Sequence, residues 1–238
     1  MTLNELVFAV LDTVRPDNLT NSSISEELVK FHIKNTRAEL IKQGANKGYT
    51  IDSYVIQSLG CIDLEEVDAS ECCEVPSGCK ILRTNVSIPT PIKMHSRQLI
   101  TRVGPVNRLE KSWQQIEFER VPFETPTRFT KNMIKWFTMN NNGRVYILVP
   151  ADNMILRSID ICTIDGVWSD PEDLVTFHNC DTGEACFSGK SEFPCSEDMA
   201  NTILKIVINE FVAKQNTQPI DVTNDNKTNL DTTVNKGI

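Results

Sequence analysis

Residues 196–211 constrain this chain more than any other stretch. Ser196 stands before Glu197 and Asp198, and Met199, Ala200, Ile203, Leu204, Ile206, Val207, Ile208 and Phe211 follow with few polar positions between them. A serine cap and two acids open a helix, and this one reads as apolar almost all round. Such a helix is expected to be buried against other helices or other subunits. The start of the chain offers partners. Thr2 and Glu5 have capping-box spacing, and Leu3, Leu6, Val7, Val10, Leu11 and Val14 recur at the helical period. Arg15-Pro16-Asp17 is expected to stop this first helix. A second is expected from near Ser23 to Gln43, ending at Gly44, with Ile24, Leu28, Phe31, Ala38, Leu40 and Ile41 as its apolar positions.

Between the helices the pattern changes to strands. Lys80–Ile88, Gln98–Val103 and Trp113–Val121 are expected as strands, the last half-buried through Ile116 and Phe118. Asn142-Gly143 between Met133–Met139 and Arg144–Val149 predicts a hairpin. Met154–Ile164 is expected as a further strand, with Asp165-Gly166 as a turn and Asp170-Pro171 opening a short helix. Thr176–Cys195 reads as loop. The expected fold is α+β: a small helical bundle formed by the N- and C-terminal helices, with a β-rich central insertion. The expected division is an N-terminal helical hairpin over 1–48, a β-rich region over 49–192, a C-terminal helix over 193–215 packing on the hairpin, and a polar tail over 216–238 with too few apolar residues to fold alone. The bundle core is expected to include Leu6, Val10, Ile203, Ile206 and Val207.

The net charge of −8 conceals a segmented pattern. Residues 51–79 carry seven acids and no base, residues 80–144 twelve bases and four acids, and residues 145–238 fifteen acids and six bases. Folding can interleave these segments so that their fields cancel, or it can leave one basic and one acidic surface suited to stacking on neighbours or facing nucleic acid. In the basic segment Lys93, Arg97, Arg102, Arg108 and Lys111 are candidates for a subunit interface or for a surface near DNA phosphates. An acidic chain as a whole is a poor general DNA binder, because affinity rests on Lys and Arg neutralising phosphates.

Other chemistry has little footing. No apolar run approaches a membrane span, so no membrane partner is expected. The first residues lack a basic region and a cleavage site, which predicts a protein of the reducing cytosol whose eight cysteines are free thiols. Cys72, Cys73 and Cys79 cluster with Cys61 upstream, and His178, Cys180, Cys186 and Cys195 form a second group, but neither has paired zinc-knuckle spacing. A cysteine–histidine nucleophile pair with His32, His95 or His178 lacks any surrounding signature. There is no phosphate loop, GxSxG or HExxH. No cofactor or metal is expected, and no catalytic residue is assigned.

Several stretches together resemble a known family: Leu3-Asn4-Glu5-Leu6-Val7, Ser25-Glu26-Glu27-Leu28-Val29, the hairpin Asn142-Gly143-Arg144-Val145-Tyr146-Ile147, the segment from Trp168 through Asp170-Pro171 to Leu174, the helix Ile203–Ile208, and Pro219-Ile220-Asp221-Val222-Thr223-Asn224-Asp225. This layout resembles the head–tail connector, or ring, proteins of short-tailed bacteriophages, and more narrowly the structural ring proteins of crAss-like phages. The resemblance implies a virion protein that is not an enzyme. It implies a connector ring, a dodecamer, assembled in the host cytoplasm and placed at the head–tail interface. Its partners would be further copies of itself, the portal, other tail or ring proteins, and double-stranded DNA passing through the channel. The polar tail, through Pro219, Ile220, Asp221 and Val222, would grip a neighbouring component. Two rival classes stand beside it: a tail or cargo protein acting as a binding module without forming that ring, and a thiol- or metal-dependent enzyme using residues 178–195.

Overall fold

The computed structural model describes residues 1–14, 24–68, 80–94, 97–123, 133–139, 142–149 and 159–216. The protein is α+β, and its described residues form three long helices and one mixed sheet. Helix α1 spans Leu3–Val14, α2 spans Glu26–Asn46 and α3 spans Glu197–Asn216. Among the described residues eight strands run in chain order: β1 Gln57–Ser58, β2 Ile62–Asp68, β3 Lys80–Thr84, β4 Ile100–Gly104, β5 Gln114–Gln115, β6 Lys135–Thr138, β7 Val145–Leu148 and β8 Ile161–Gly166.

The helix starts are set by local chemistry. The Thr2 amide donates to Glu5 Oε2 at 2.9 Å and the Glu5 amide donates to Thr2 Oγ1 at 3.2 Å, a reciprocal capping box. Ser25, not Ser23, caps α2, its hydroxyl accepting from the Leu28 amide; Ser23 and the expected stop at Arg15-Pro16-Asp17 lie outside the described residues. Gly44 does not end α2. The helix runs on to Asn46, where Gly48 takes φ +80°. The Tyr49 amide then reaches the Gly44 carbonyl and the Gly48 amide reaches that of Ala45. That pair of bonds is a Schellman closure, which needs the left-handed residue one position past the cap, so Gly48 is the glycine that matters.

The buried stripe of α2 also departs from expectation. It is Val29, Ile33, Arg37 and Ile41, one residue every fourth position. Leu28 and Phe31, expected inside, are exposed. Helix α3 is one-sided and not apolar all round: Ala200, Ile203, Val207 and Phe211 are buried, whereas Asn201, Thr202, Lys205, Asn209 and Glu210 face outward. Those four buried residues share a core with Leu3, Leu6, Val7, Val10 and Val14 of α1 and with Val29 and Ile33 of α2. Each Val, Leu, Ile or Phe side chain of this core contributes roughly 1.5–3 kcal/mol by leaving water.

In the sheet the neighbour order is β1-β8-β2-β3-β7-β6-β5, with β4 on the other edge of β8. All pairs are antiparallel except β5 with β6. Strand β8 is the centre. Asp165 and Gly166, expected as a turn, are paired on both sides: Asp165 with Ser58 and Arg102, and Gly166 with Gln57 and Ile100. Gly166 is a glycine because the Trp168 ring lies on it; a Cβ there would sit 3.0 Å from Trp168 Cζ2 and 3.1 Å from the Leu99 carbonyl oxygen. Trp113, Trp136 and Trp168 all lie in the main sheet core with Ile62, Ile100, Val103, Ile147 and Ile164.

The hairpin of β6 and β7 forms with Thr138 opposite Val145, so its connection is longer than two residues. Gly143 turns it at φ +62°, and Ser87 packs so close that a side chain at 143 would collide with its hydroxyl. Both faces of this hairpin are covered. Trp136 and Ile147 point into the main core, while Phe137 and Tyr146 stack at 5.4 Å in a second cluster with Ile81 and Ile116. The expected strand over Trp113–Val121 is only two residues long. It then winds into a 3₁₀ turn over Phe118–Phe123, closed early by the Arg120 amide on the Glu117 carbonyl. Asp170 does cap a short 3₁₀ helix, Pro171–Thr176, through the Glu172 amide.

Helices and sheet meet along α2. Ile41 packs with Val55, Ile92, Leu99 and Val167, and Arg37 lies fully buried beside them. Its Nε donates to the Pro194 carbonyl at 2.7 Å, Nη1 to the Trp168 carbonyl at 2.9 Å and Nη2, more weakly, to the Val55 carbonyl at 3.4 Å, with its guanidinium over the Phe193 ring. Burial lowers its pKa to about 10, against opposing attraction from Cys195 and Asp170, so it stays charged at neutral pH. Removing the side chain orphans three buried carbonyls and leaves a void. Arg37→Ala is therefore expected to lower unfolding free energy by at least about 3 kcal/mol, read as a fall in urea midpoint. Arg37→Lys is expected to recover only part of it, because one ammonium cannot span three carbonyls in the plane of a guanidinium.

Candidate functional site

The basic candidates flank β4. Ile92 and Leu99 are buried and hydrogen-bonded to each other and to Val167, and the chain between them turns back with Lys93 bridged to Gln98 and the Met94 amide on the Arg97 carbonyl. The buried pair anchors the hairpin, and Lys93 and Arg97 stand exposed at its end; His95 lies outside the described residues. Strand β4 follows, with a register shift between Ile100 and Arg102. Arg102 is half-buried: Nη2 donates to the Pro105 carbonyl, and Nη1 is buried with no hydrogen-bond partner among the described residues. Arg108 and Lys111 are exposed on the loop after β4, with Arg108 Nη2 at 3.1 Å from the buried Asp165.

These five cations do not converge on one cleft. Lys93 lines a cavity of about 420 Å³ against Ser87–Pro91 and the β6–β7 hairpin. Arg108 lines a different one of about 1040 Å³, whose wall includes Tyr54, Asn179, Asp181 and Glu192. Arg108 and Lys111 share a loop, Lys93 and Arg97 share a hairpin, and Arg102 is spent largely on bracing backbone.

The cysteines are rearranged relative to expectation. Cys61 and Cys180, 119 residues apart, form a disulfide with Cα atoms 5.0 Å apart, so they are not free thiols. One belongs to each of the two cysteine groups. The bond ties the turn between β1 and β2 to the loop after Thr176, where the Cys61 amide also donates to the His178 carbonyl. Gly60 makes this approach possible at φ +68°, since a side chain there would overlap the His178 carbonyl. A cross-link closing so long a loop typically contributes about 2–4 kcal/mol. Burial pushes the Cys162 thiol up to about 12 and raises Cys186 and Cys195, the last against the pull of Arg37 and the chain's amino terminus. A thiolate nucleophile needs a shift the other way. Among the described residues no three His, Cys, Asp or Glu side chains gather where they could hold a metal. Cys72, Cys73 and Cys79 lie outside the described residues. His32 Nδ1 is 3.0 Å from Glu210 Oε2, and its ring packs edge-on against Phe211.

Two ion-pair groups fix the surface geometry. Lys34 reaches Asp170 at 2.6 Å and Glu172 at 2.7 Å, tying α2 to the 3₁₀ turn; burial alone would lower its pKa, but these carboxylates outweigh burial and hold it raised. Glu65 on β2 accepts from Arg83 on β3 at 2.7 Å and at 2.8 Å from Arg144, the residue just before β7. Leu6, Val10, Ile203 and Val207 sit in the shared helical core, Ile206 is half-buried outside it, and Pro219, Ile220, Asp221 and Val222 lie outside the described residues.

The hydrogen bond from Arg83, then the charges of Arg83 and Arg144, hold the Glu65 carboxyl below its ordinary value. A carboxyl whose pKa is lower folded than unfolded stabilises fully above the unfolded value, and the contribution is lost as pH falls through the folded one. Melting temperature is expected to fall on acidification, and Glu65→Gln is expected to flatten that slope while lowering stability slightly at neutral pH. Thermal melts of both proteins across the acid range read this.

No helix among the described residues is long and apolar enough to cross a membrane. No curated protein matches the chain. A family model described as phage tail ring protein 2 matches residues 5–232, from the first turn of α1 through all of the sheet and α3. A match of that length identifies the chain as a member of the phage tail ring protein 2 family, structural proteins of the bacteriophage tail.

Proposed function

We propose that this protein is the subunit of a connector ring that joins the portal to the tail and extends the DNA channel, as a dodecamer. Membership in a tail ring family is the observation that carries the reading. The arrangement of cations supports it: Lys93, Arg97, Arg108 and Lys111 are exposed on short, braced excursions from the sheet. Passing DNA needs a surface that attracts phosphate without reading bases, and a few separated cations supply that with weak, salt-sensitive contacts. On this reading the three helices act as a small bundle over 1–48 and 193–215, the β-rich region over 49–192 carries the channel-facing and neighbour-facing surfaces, and the tail with Pro219, Ile220, Asp221 and Val222 grips the next component. The role is structural, in the virion at the head–tail interface, with assembly in the host cytoplasm.

The purified protein, alone and mixed with the portal, tests this by mass photometry and negative-stain imaging. Closed rings, or a ring-on-portal particle, are the expected result. A monomer at every concentration that ignores the portal contradicts it.

A further inference from the structure

Leu109 is 96% exposed, more than any other large apolar side chain among the described residues. A lone exposed leucine is ordinary; this one is held out. Its amide donates to Asn107 Oδ1 at 3.1 Å, the Glu110 amide donates to the Asn107 carbonyl, Asn107 Nδ2 donates to Glu110 Oε1, and the loop base is fixed by Arg102 on the Pro105 carbonyl and by Arg108 on Asp165. A braced loop has given up most of its conformational freedom before binding, which lowers the cost of docking it.

The same chain carries a socket. A cavity of about 370 Å³ opens between the end of α2 and the start of α3, with Leu40, Ile41, Ile51, Val55 and Met199 among its walls. Asp52, Asp198 and Lys47 line it as well. Around Leu109 stand Arg108, Lys111 and Glu110. Two bases and an acid thus oppose two acids and a base. Arg108 remains 64% exposed despite its contact with Asp165.

We infer that Leu109 inserts into the cavity between α2 and α3 of a neighbouring copy of this chain, with Arg108 and Lys111 facing Asp52 and Asp198. Its near-complete exposure means that Leu109 does not occupy the cavity of its own chain. Knob and socket are different surfaces, so one copy's knob can fill the next copy's socket while its own socket stays open for a third; repeated in that heterologous way, the contact closes into a ring when the rotation per subunit fits. This contact rests on the ring reading proposed above.

The test uses the full chain with p-benzoylphenylalanine in place of Leu109, irradiated under conditions where the unsubstituted protein assembles, alone or on the portal. Cross-links from position 109 to residues 40–55 or 198–202 of another copy are expected. Leu109→Asp is expected to weaken assembly about tenfold or more, the scale of burying one leucine, and Leu109→Met to leave it near normal. Because the side chain is exposed, the melting temperature of Leu109→Asp is expected to match the parent. Rings that form with Leu109→Asp as readily as before, or that cross-link elsewhere, overturn this contact and leave the ring reading standing. A parent protein that never assembles overturns both.

Discussion

One guanidinium holds the two halves of this structure in register. Arg37 leaves α2, passes into the interior and bonds the carbonyls of Val55, Trp168 and Pro194, which belong to the segment entering the sheet, the segment leaving it and the segment entering α3. Among the described residues none of these carbonyls has a ladder partner to turn to, and a buried charge is tolerated only when its donors are satisfied in fixed directions. The interaction is therefore better understood as a specifier of geometry than as a source of net stability. Packing of Ile41, Val55, Leu99 and Val167 around it supplies the apolar burial that charge cannot.

That arrangement explains how a subunit with short strands can be stiff enough for an assembly. Strand β8 is paired on both edges and buried along most of its length, and the Trp168 ring is clamped against Gly166. The disulfide between Cys61 and Cys180 and the Lys34 contacts to Asp170 and Glu172 close the periphery. Rings transmit position from subunit to subunit, so an error in the angle between helices and sheet would accumulate around the circle. A seam built from directional hydrogen bonds limits that error.

What could be read from the residues was local. The capping box at Thr2 and Glu5, the Asn142-Gly143 hairpin and the Asp170 cap all depend on neighbours within a few positions, and the helix–strand–helix plan shows in the periodicity of Leu3–Val14 and Ile203–Phe211. What was hidden depends on distant partners. Arg37 looks like one more solvated charge on α2 unless the fourfold spacing of Val29, Ile33 and Ile41 is noticed around it. Asp165-Gly166 looks like a turn because the reason for the glycine, Trp168 and the Leu99 carbonyl, arrives from elsewhere. Phe137 and Tyr146 hide the alternation of their strands because both faces are buried. The pairing of Cys61 with Cys180 spans 119 residues and leaves no spacing signal. The basic residues were visible as a run, but composition does not distribute them between a hairpin, a strand and a loop.

The family match establishes a tail ring protein; the connector position beside the portal goes one step further. An electron cryomicroscopy reconstruction of the intact tail tests it most directly. The expected image is a ring of this chain next to the portal, with the Lys93–Arg97 hairpin or the Arg108–Lys111 loop turned toward the DNA channel. A ring separated from the portal, with both of those segments facing away from the channel, would contradict it.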